Sequence, residues 1–140
     1  MSPYLWAAGI AWIVAQGLKY VVAIIQSKTV RKFRSLYISG GMPSAHSATV
    51  VAVTTVIAFR EGVDGGLFGL AALLTAIVMY DAVMVRRSSG IQGDILTQLL
   101  KDTKSKIIVP RFAHGHQPLE VIAGALLGLV IGSIVFFATK

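Results

Sequence analysis

From Leu119 to Ala138 the sequence is apolar with a single charge, Glu120, at its start. That length suffices for one helix to cross a bilayer, which takes roughly 20 residues. Three more apolar runs precede it. The first extends from Tyr4 to about Ile25, broken only by Gln16 and Lys19; the second runs from Ala45 to Phe59, just before Arg60 and Glu61. The third runs from Leu67 to Val85 and contains Asp81. The second run is short for a span unless its helix begins at Pro43, where proline suits a first turn. The chain is 55% hydrophobic and 14% charged over 140 residues. A soluble domain of that size has too little interior to hide so much apolar surface. The expectation is an all-α integral membrane bundle of about four transmembrane helices, forming a single membrane-embedded domain over residues 1–140. Met1 to Pro3 supply no basic leader, so the first run is expected to stay in the mature protein.

The segments between the runs carry the charge. A basic loop spans Ser27 to Gly41, a tight turn spans Gly62–Gly66, and a long polar segment spans Arg86 to Gln117. Within the last, Ile91, Ile95, Leu99 and Leu100 fall at helical spacing among polar residues, which predicts a short amphipathic helix on the membrane surface. With four spans, the loops 27–41 and 86–117 share one face, and both termini and the 62–66 turn share the other. The first face holds Lys28, Arg31, Lys32, Arg34, Arg86, Arg87, Lys101, Lys104, Lys106 and Arg111; the second holds only Arg60 and Lys140. The positive-inside rule then makes the basic face cytoplasmic. A net charge of +7 invites a nucleic-acid reading. The aromatics, however, lie in the apolar runs rather than among the basic residues, so no nucleic-acid partner is expected. There is no cysteine, which removes disulfides and thiolate metal sites.

All three histidines lie on the basic face. His46 follows Gly40-Gly41-Met42-Pro43-Ser44-Ala45, where a loop leads into the second helix. His114 and His116 precede Gln117-Pro118-Leu119-Glu120, where a loop leads into the fourth. Helix N-termini present free N–H groups and the positive end of the dipole, and so favour an anion. Glycines at 40 and 41 permit close backbone approach, and Ser44 and Ser47 add hydroxyl donors. His116 and Glu120 share a helix face at i, i+4. A carboxylate so placed fixes the imidazole tautomer and leaves the other nitrogen free to attack. Taken singly, each of these residues has an ordinary structural explanation. Lys19 and Asp81 are ionisable groups inside apolar runs, near the ends that face the same side; snorkelling explains the first and pairing with a nearby cation the second. Gly124, Gly128 and Gly132 form a ridge of small residues suited to close helix packing.

Together the residues carry a resemblance. Pro43-Ser44-Ala45-His46-Ser47 resembles the Pro-Ser-Gly-His-Ser motif of the type-2 phosphatidic acid phosphatase superfamily, with alanine in place of glycine. His116 through Glu120, followed by Val121-Ile122-Ala123-Gly124, resembles that superfamily's last motif, with glutamate in place of aspartate. The closer similarity is to its divergent branch, which shares Gly-Gly-Met-Pro-Ser, an Asp-x-x-x-Val-Arg-Arg segment matching Asp81 to Arg87, and Gly-His-Gln-Pro-Leu-Glu-Val. The similarity runs in order through nearly the whole chain.

The resemblance implies a mechanism. His116 would attack phosphorus with Glu120 orienting it, and His46 would protonate the leaving oxygen. Lys19, the backbone near Gly41, Ser44, Arg86 and Arg87 would hold the phosphoryl oxygens. No metal or other cofactor is expected. Two features depart from the superfamily pattern. Its Lys-x6-Arg-Pro motif is absent, Lys28 and Arg34 having the wrong spacing and no proline; Arg111 stands one residue too close to match the arginine before the last histidine. Lys19 and the Arg86–Arg87 pair are the substitutes on the same side. The implied function is a membrane phosphatase acting on a lipid-linked phosphate or diphosphate, such as phosphatidylglycerol phosphate or an isoprenoid diphosphate. The expected partners are that lipid phosphate and the surrounding membrane lipids, with homo-oligomerisation left open. The alternative is a non-catalytic membrane binder or carrier of phosphate-bearing molecules. A purely structural subunit gives no account of the clustered histidines.

Overall fold

The structure is a computed structural model that describes residues 2–27, 41–105, 107 and 115–140. Five α-helices make it up: α1 Pro3–Ser27, α2 Ala45–Glu61, α3 Gly66–Tyr80, α4 Arg86–Asp102 and α5 Pro118–Ala138. A π-helical segment, Asp81–Val85, joins α3 to α4. Among the described residues there is no strand. Among the described residues three helices are long and apolar enough to cross a membrane: Pro3–Ile25, the continuous Gly66–Asp102 and Pro118–Ala138. The remaining one, α2, has 17 residues, at the lower edge of spanning length. Its helix starts after Ser44, which caps it, so Pro43 lies outside the first turn.

Packed against α1, α3 and α5 alike, α2 is the centre of the bundle. It meets α5 along two matched ridges. A Cβ at Gly124 would stand 2.4 Å from the Ser44 carbonyl oxygen, at Gly128 2.4 Å from that of Ala48, and at Gly132 2.6 Å from that of Ala52. Positions 44, 48 and 52 thus ascend in step with 124, 128 and 132, so the two helices run parallel with both N-termini at the same end. Absence of a side chain is what lets the backbones approach this closely. The core is correspondingly made of small residues, with Ala7, Ala11 and Ala15 of α1 joining Ala48, Ala52 and Val56 of α2.

Two other helices run antiparallel to this pair. Tyr4 at the start of α1 donates to Glu61 at the end of α2, at 2.6 Å. Thr54 of α2 and Thr75 of α3 share a hydroxyl hydrogen bond of 2.8 Å. At the same end as Tyr4 and Glu61, Arg60 donates to Thr139, and Phe59 stacks on Phe136 with centroids 5.0 Å apart. Helix α3 buries no residue, and Leu70, Leu73, Leu74 and Ile77 are all exposed. That apolar surface is the lipid-facing wall of a membrane protein.

The amphipathic helix anticipated after Val85 is present as α4, but it is continuous with the third span. The combined helix has 37 residues. At 1.5 Å per residue it is about 55 Å long, well beyond the ~30 Å hydrocarbon core. Apart from the π-helical segment that precedes it, α4 packs closely on no other helix among the described residues, and Ile91, Ile95 and Leu99 stay exposed.

Candidate functional site

Parallel packing of α2 and α5 brings two helix N-termini together, and the histidine motifs sit on them. Ser44 caps α2: its Oγ accepts from the Ser47 amide at 3.4 Å and from the Ser47 hydroxyl at 3.0 Å, and both serines are fully buried. The Ser44 hydroxyl keeps its own hydrogen to donate. The Ser44 amide donates to the Glu120 carbonyl at 3.0 Å, tying the two N-termini directly. On α5, Gln117 and Glu120 form a reciprocal capping box, with Pro118 in the first turn.

His116 stands just before that cap and is only 5% exposed. Its Nδ1 lies 2.9 Å from Glu120 Oε2, which also accepts from the Gln117 amide at 3.1 Å. With Nδ1–H donated to the carboxylate, Nε2 carries the lone pair. Backbone contact fixes the ring from behind. The His116 amide donates to the Ala82 carbonyl at 3.0 Å. The π-helical register explains why that carbonyl is open. The Arg86 amide reaches back to the Asp81 carbonyl, so it does not take Ala82, its α-helical partner. Gly115 makes the approach feasible, since a Cβ there would lie 2.3 Å from the Arg87 amide nitrogen.

The same segment positions the arginines. Arg86 Nε donates to Asp81 Oδ2 at 2.7 Å, which leaves the two terminal nitrogens of its guanidinium for an anion. Asp81 therefore has the cation partner that its place in an apolar run required. Arg87 points to a different region: it lines a 210 Å³ polar cleft with Asp94, Gly115, His116 and Gln117. Exposed His46, in the first turn of α2, lies within electrostatic range of Arg86, His116, Asp81 and Lys19. Lys19 approaches from α1. Its Cε is 3.2 Å from where a Gly41 Cβ would be, and its ammonium is within electrostatic range of Glu120. Gly41 has φ +89, a conformation that glycine adopts without strain.

Seven of the eight sequence-named residues thus gather around one point: His116, His46, Glu120, Lys19, Gly41, Ser44 and Arg86. The eighth, Arg87, reaches His116 through the separate cleft. Gly40, Lys28, Arg34, Arg111 and His114 lie outside the described residues. Gln16 is a polar group that the sequence marks only as a break in the first apolar run. One turn before Lys19 on α1, its Oε1 is buried with no hydrogen-bond partner among the described residues. Its signal was available, as a lone amide in an apolar run. Among the described residues, no three His, Asp or Glu side chains converge as metal ligands.

Comparison with known proteins identifies the family. No solved structure matches the chain. The uncharacterised membrane protein YuiD of Bacillus subtilis (strain 168) is 34% identical over 136 aligned residues, covering 86% of this chain and 85% of its own. Residues 1–131 match the family described as the divergent PAP2 family. The match takes in all the site residues described above, and this chain is a membrane protein that belongs to the divergent PAP2 family.

Proposed function

We propose that the chain is a metal-independent phosphatase that hydrolyses a lipid-linked monophosphate or diphosphate through a phosphohistidine. The observation that carries this reading is the His116–Glu120 pair, held at the N-terminus of α5 with His46 facing it from the N-terminus of α2.

The steps follow from the positions of the groups. A phosphoryl group seated between the helix N-termini meets the backbone dipoles, the free guanidinium nitrogens of Arg86 and the Lys19 ammonium. Preorganised donors of this kind stabilise the charge that grows on the equatorial oxygens. His116 Nε2 forms a bond to phosphorus as the bond to the leaving oxygen breaks, and His46 delivers a proton to that oxygen. Glu120 stabilises the positive imidazole that results. His46, now neutral, takes a proton from water as the water oxygen attacks phosphorus. The P–N bond breaks, inorganic phosphate leaves, and both histidines return to their first state. A substrate whose tail remains in the bilayer suits a site at the end of a helix bundle. The basic residues flanking the site support a cytoplasmic orientation, with both termini on the opposite face.

The test is phosphate release by purified protein in detergent with EDTA present, over a panel including phosphatidylglycerol phosphate, phosphatidic acid and isoprenoid diphosphates. Turnover of at least one lipid, lost in His116→Ala, is the expected result. Tight binding of the same lipids with no release makes the chain a binder or carrier instead.

A further inference from the structure

The helices that carry the site also enclose a groove. Both α3 and α5 pack on α2, but their main contacts do not include each other. The gap between them is a cleft of about 270 Å³ floored by Val51, Thr54 and Ala58 of α2 and walled by Thr75 of α3 and Leu129 and Ser133 of α5. Its hydroxyls are turned inward chemically: Thr54 donates to the Val50 carbonyl and pairs with Thr75, and Ser133 donates to the Leu129 carbonyl. With those hydrogens used, the groove presents an apolar wall to its contents. Phe59 and Phe68 line its far part.

Position along the helices relates the groove to the site. Val51 lies about 10 Å along α2 from Ser44, and Thr75 about 9 Å along α3 from Asp81. On α5, Leu129 is about 14 Å from Glu120. Phe59 and Phe68 stand roughly 10 Å further down, toward the opposite end of the bundle. Nearer the site the π-helical segment and the residue leading into α5 are joined by the His116–Ala82 hydrogen bond. On this spacing the groove begins about 10 Å along the helices from the phosphoryl position and runs away from it along the bundle.

We propose that this groove between α3 and α5 seats one hydrocarbon chain of the phospholipid or prenyl phosphate whose phosphoryl group occupies the site, and that Phe59 and Phe68 set the chain length it accepts. The inference deepens the phosphatase reading and rests on it for the position of the headgroup. Hydrocarbon suits a cleft between apolar helices whose hydroxyls bond to the protein's own carbonyls and to each other. Charge at the site selects the head, and the groove selects the tail.

Photolabelling of the wild-type protein in phosphatidylcholine vesicles tests the assignment without requiring turnover. One probe is phosphatidic acid with a diazirine near the end of one acyl chain; the control is phosphatidylcholine carrying the same chain. The phosphatidic acid probe should label peptides containing Ala58–Phe59 and Phe68 well above the control. Ala58→Phe should displace about two chain methylenes, and at the usual transfer value of ~0.8 kcal/mol each this lowers labelling about tenfold. Phe68→Ala should move hydrolysis toward longer chains. Equal labelling by both probes, or label concentrated on α1, overturns the groove assignment. Phosphate-dependent labelling here with no hydrolysis of any lipid keeps the groove and defeats the phosphatase reading.

Discussion

The backbone amide of His116 donates to the carbonyl of Ala82 at 3.0 Å, so the residue read as nucleophile hangs from the π-helical segment between α3 and α4. That link needs residue 115 to lie flat on the helix. A Cβ on Gly115 would meet backbone at 2.3 Å and 2.7 Å, which no rotamer change relieves. Gly115→Ala should push His116 away from Ala82 and from the phosphoryl position. Overpacking of this kind costs about 1–3 kcal/mol, and a displacement near 1 Å costs about a hundredfold in rate. Phosphate release should fall by that order while the protein still purifies as a folded helical species by circular dichroism. Unchanged turnover means the loop has room to move.

The glycine ridge predicts a contrast in stability. A Cβ on Gly128 would stand 2.4 Å from the Ala48 carbonyl oxygen, whereas one on Gly69 would meet nothing within 4 Å. Gly128→Val should prevent α2 and α5 from closing and lower the thermal midpoint in detergent sharply. Gly69→Ala should leave the midpoint unchanged or raise it, since alanine favours a helix over glycine by about 1 kcal/mol. Similar midpoints for the two variants would contradict the parallel packing of α2 on α5.

The runs of apolar residues and their loop punctuation made the helices readable, because lipid imposes a length and a composition on every span. The i, i+4 spacing of His116 and Glu120 likewise made their contact readable. What could not be read was the continuity of the third helix. Arg86, Arg87 and the serines after them change the solvent preference of the chain but not its helical propensity, so polarity marked an end where the backbone has none. The π-helical register at Asp81–Val85 was also hidden. It is set by tertiary contact, through the Ala82 carbonyl that it frees for His116. The burial of Ser44 and Ser47 followed from the Gly124 approach, which a ridge of glycines announces but does not aim.

Membrane sidedness gives a direct test. On span parity and charge bias, the segments 27–41 and 86–117 are expected on the cytoplasmic face. Single cysteines introduced at Ser35 and Ser105 in this cysteine-free chain should react with an impermeant maleimide only after the cytoplasmic side is opened. A cysteine replacing Ser2 should react from the other side. Labelling of Ser35 and Ser105 variants from opposite sides would dismantle the assembled site.

On the proposed mechanism two histidines serve as nucleophile and acid, so turnover should need no divalent ion. EDTA should leave phosphate release within about twofold, because the charge on the transferring group is met by fixed dipoles, Arg86 and Lys19. Vanadate should inhibit by occupying the phosphoryl position. Activity abolished by chelation and restored by magnesium would overturn the mechanism.

The division of labour between the histidines is the sharpest test. Only His116 has a carboxylate four residues on, and the 2.9 Å contact with Glu120 engages Nδ1 and leaves the Nε2 lone pair open. His114 lies outside the described residues and has no such partner in the sequence. His116→Ala should abolish phosphate release, whereas His114→Ala should retain most of it. Glu120→Gln removes the charge that supports the imidazolium and should slow turnover by about two to three orders of magnitude, with the α5 cap largely kept. His46→Ala should slow an alkyl phosphate by about a hundredfold or more, the usual contribution of a general acid. An activated aryl phosphate, whose leaving group needs little protonation, should lose far less. Equal losses on the two substrates would remove His46 from the acid role. A dead His114→Ala beside an active His116→Ala would move the nucleophile to the other histidine of the motif.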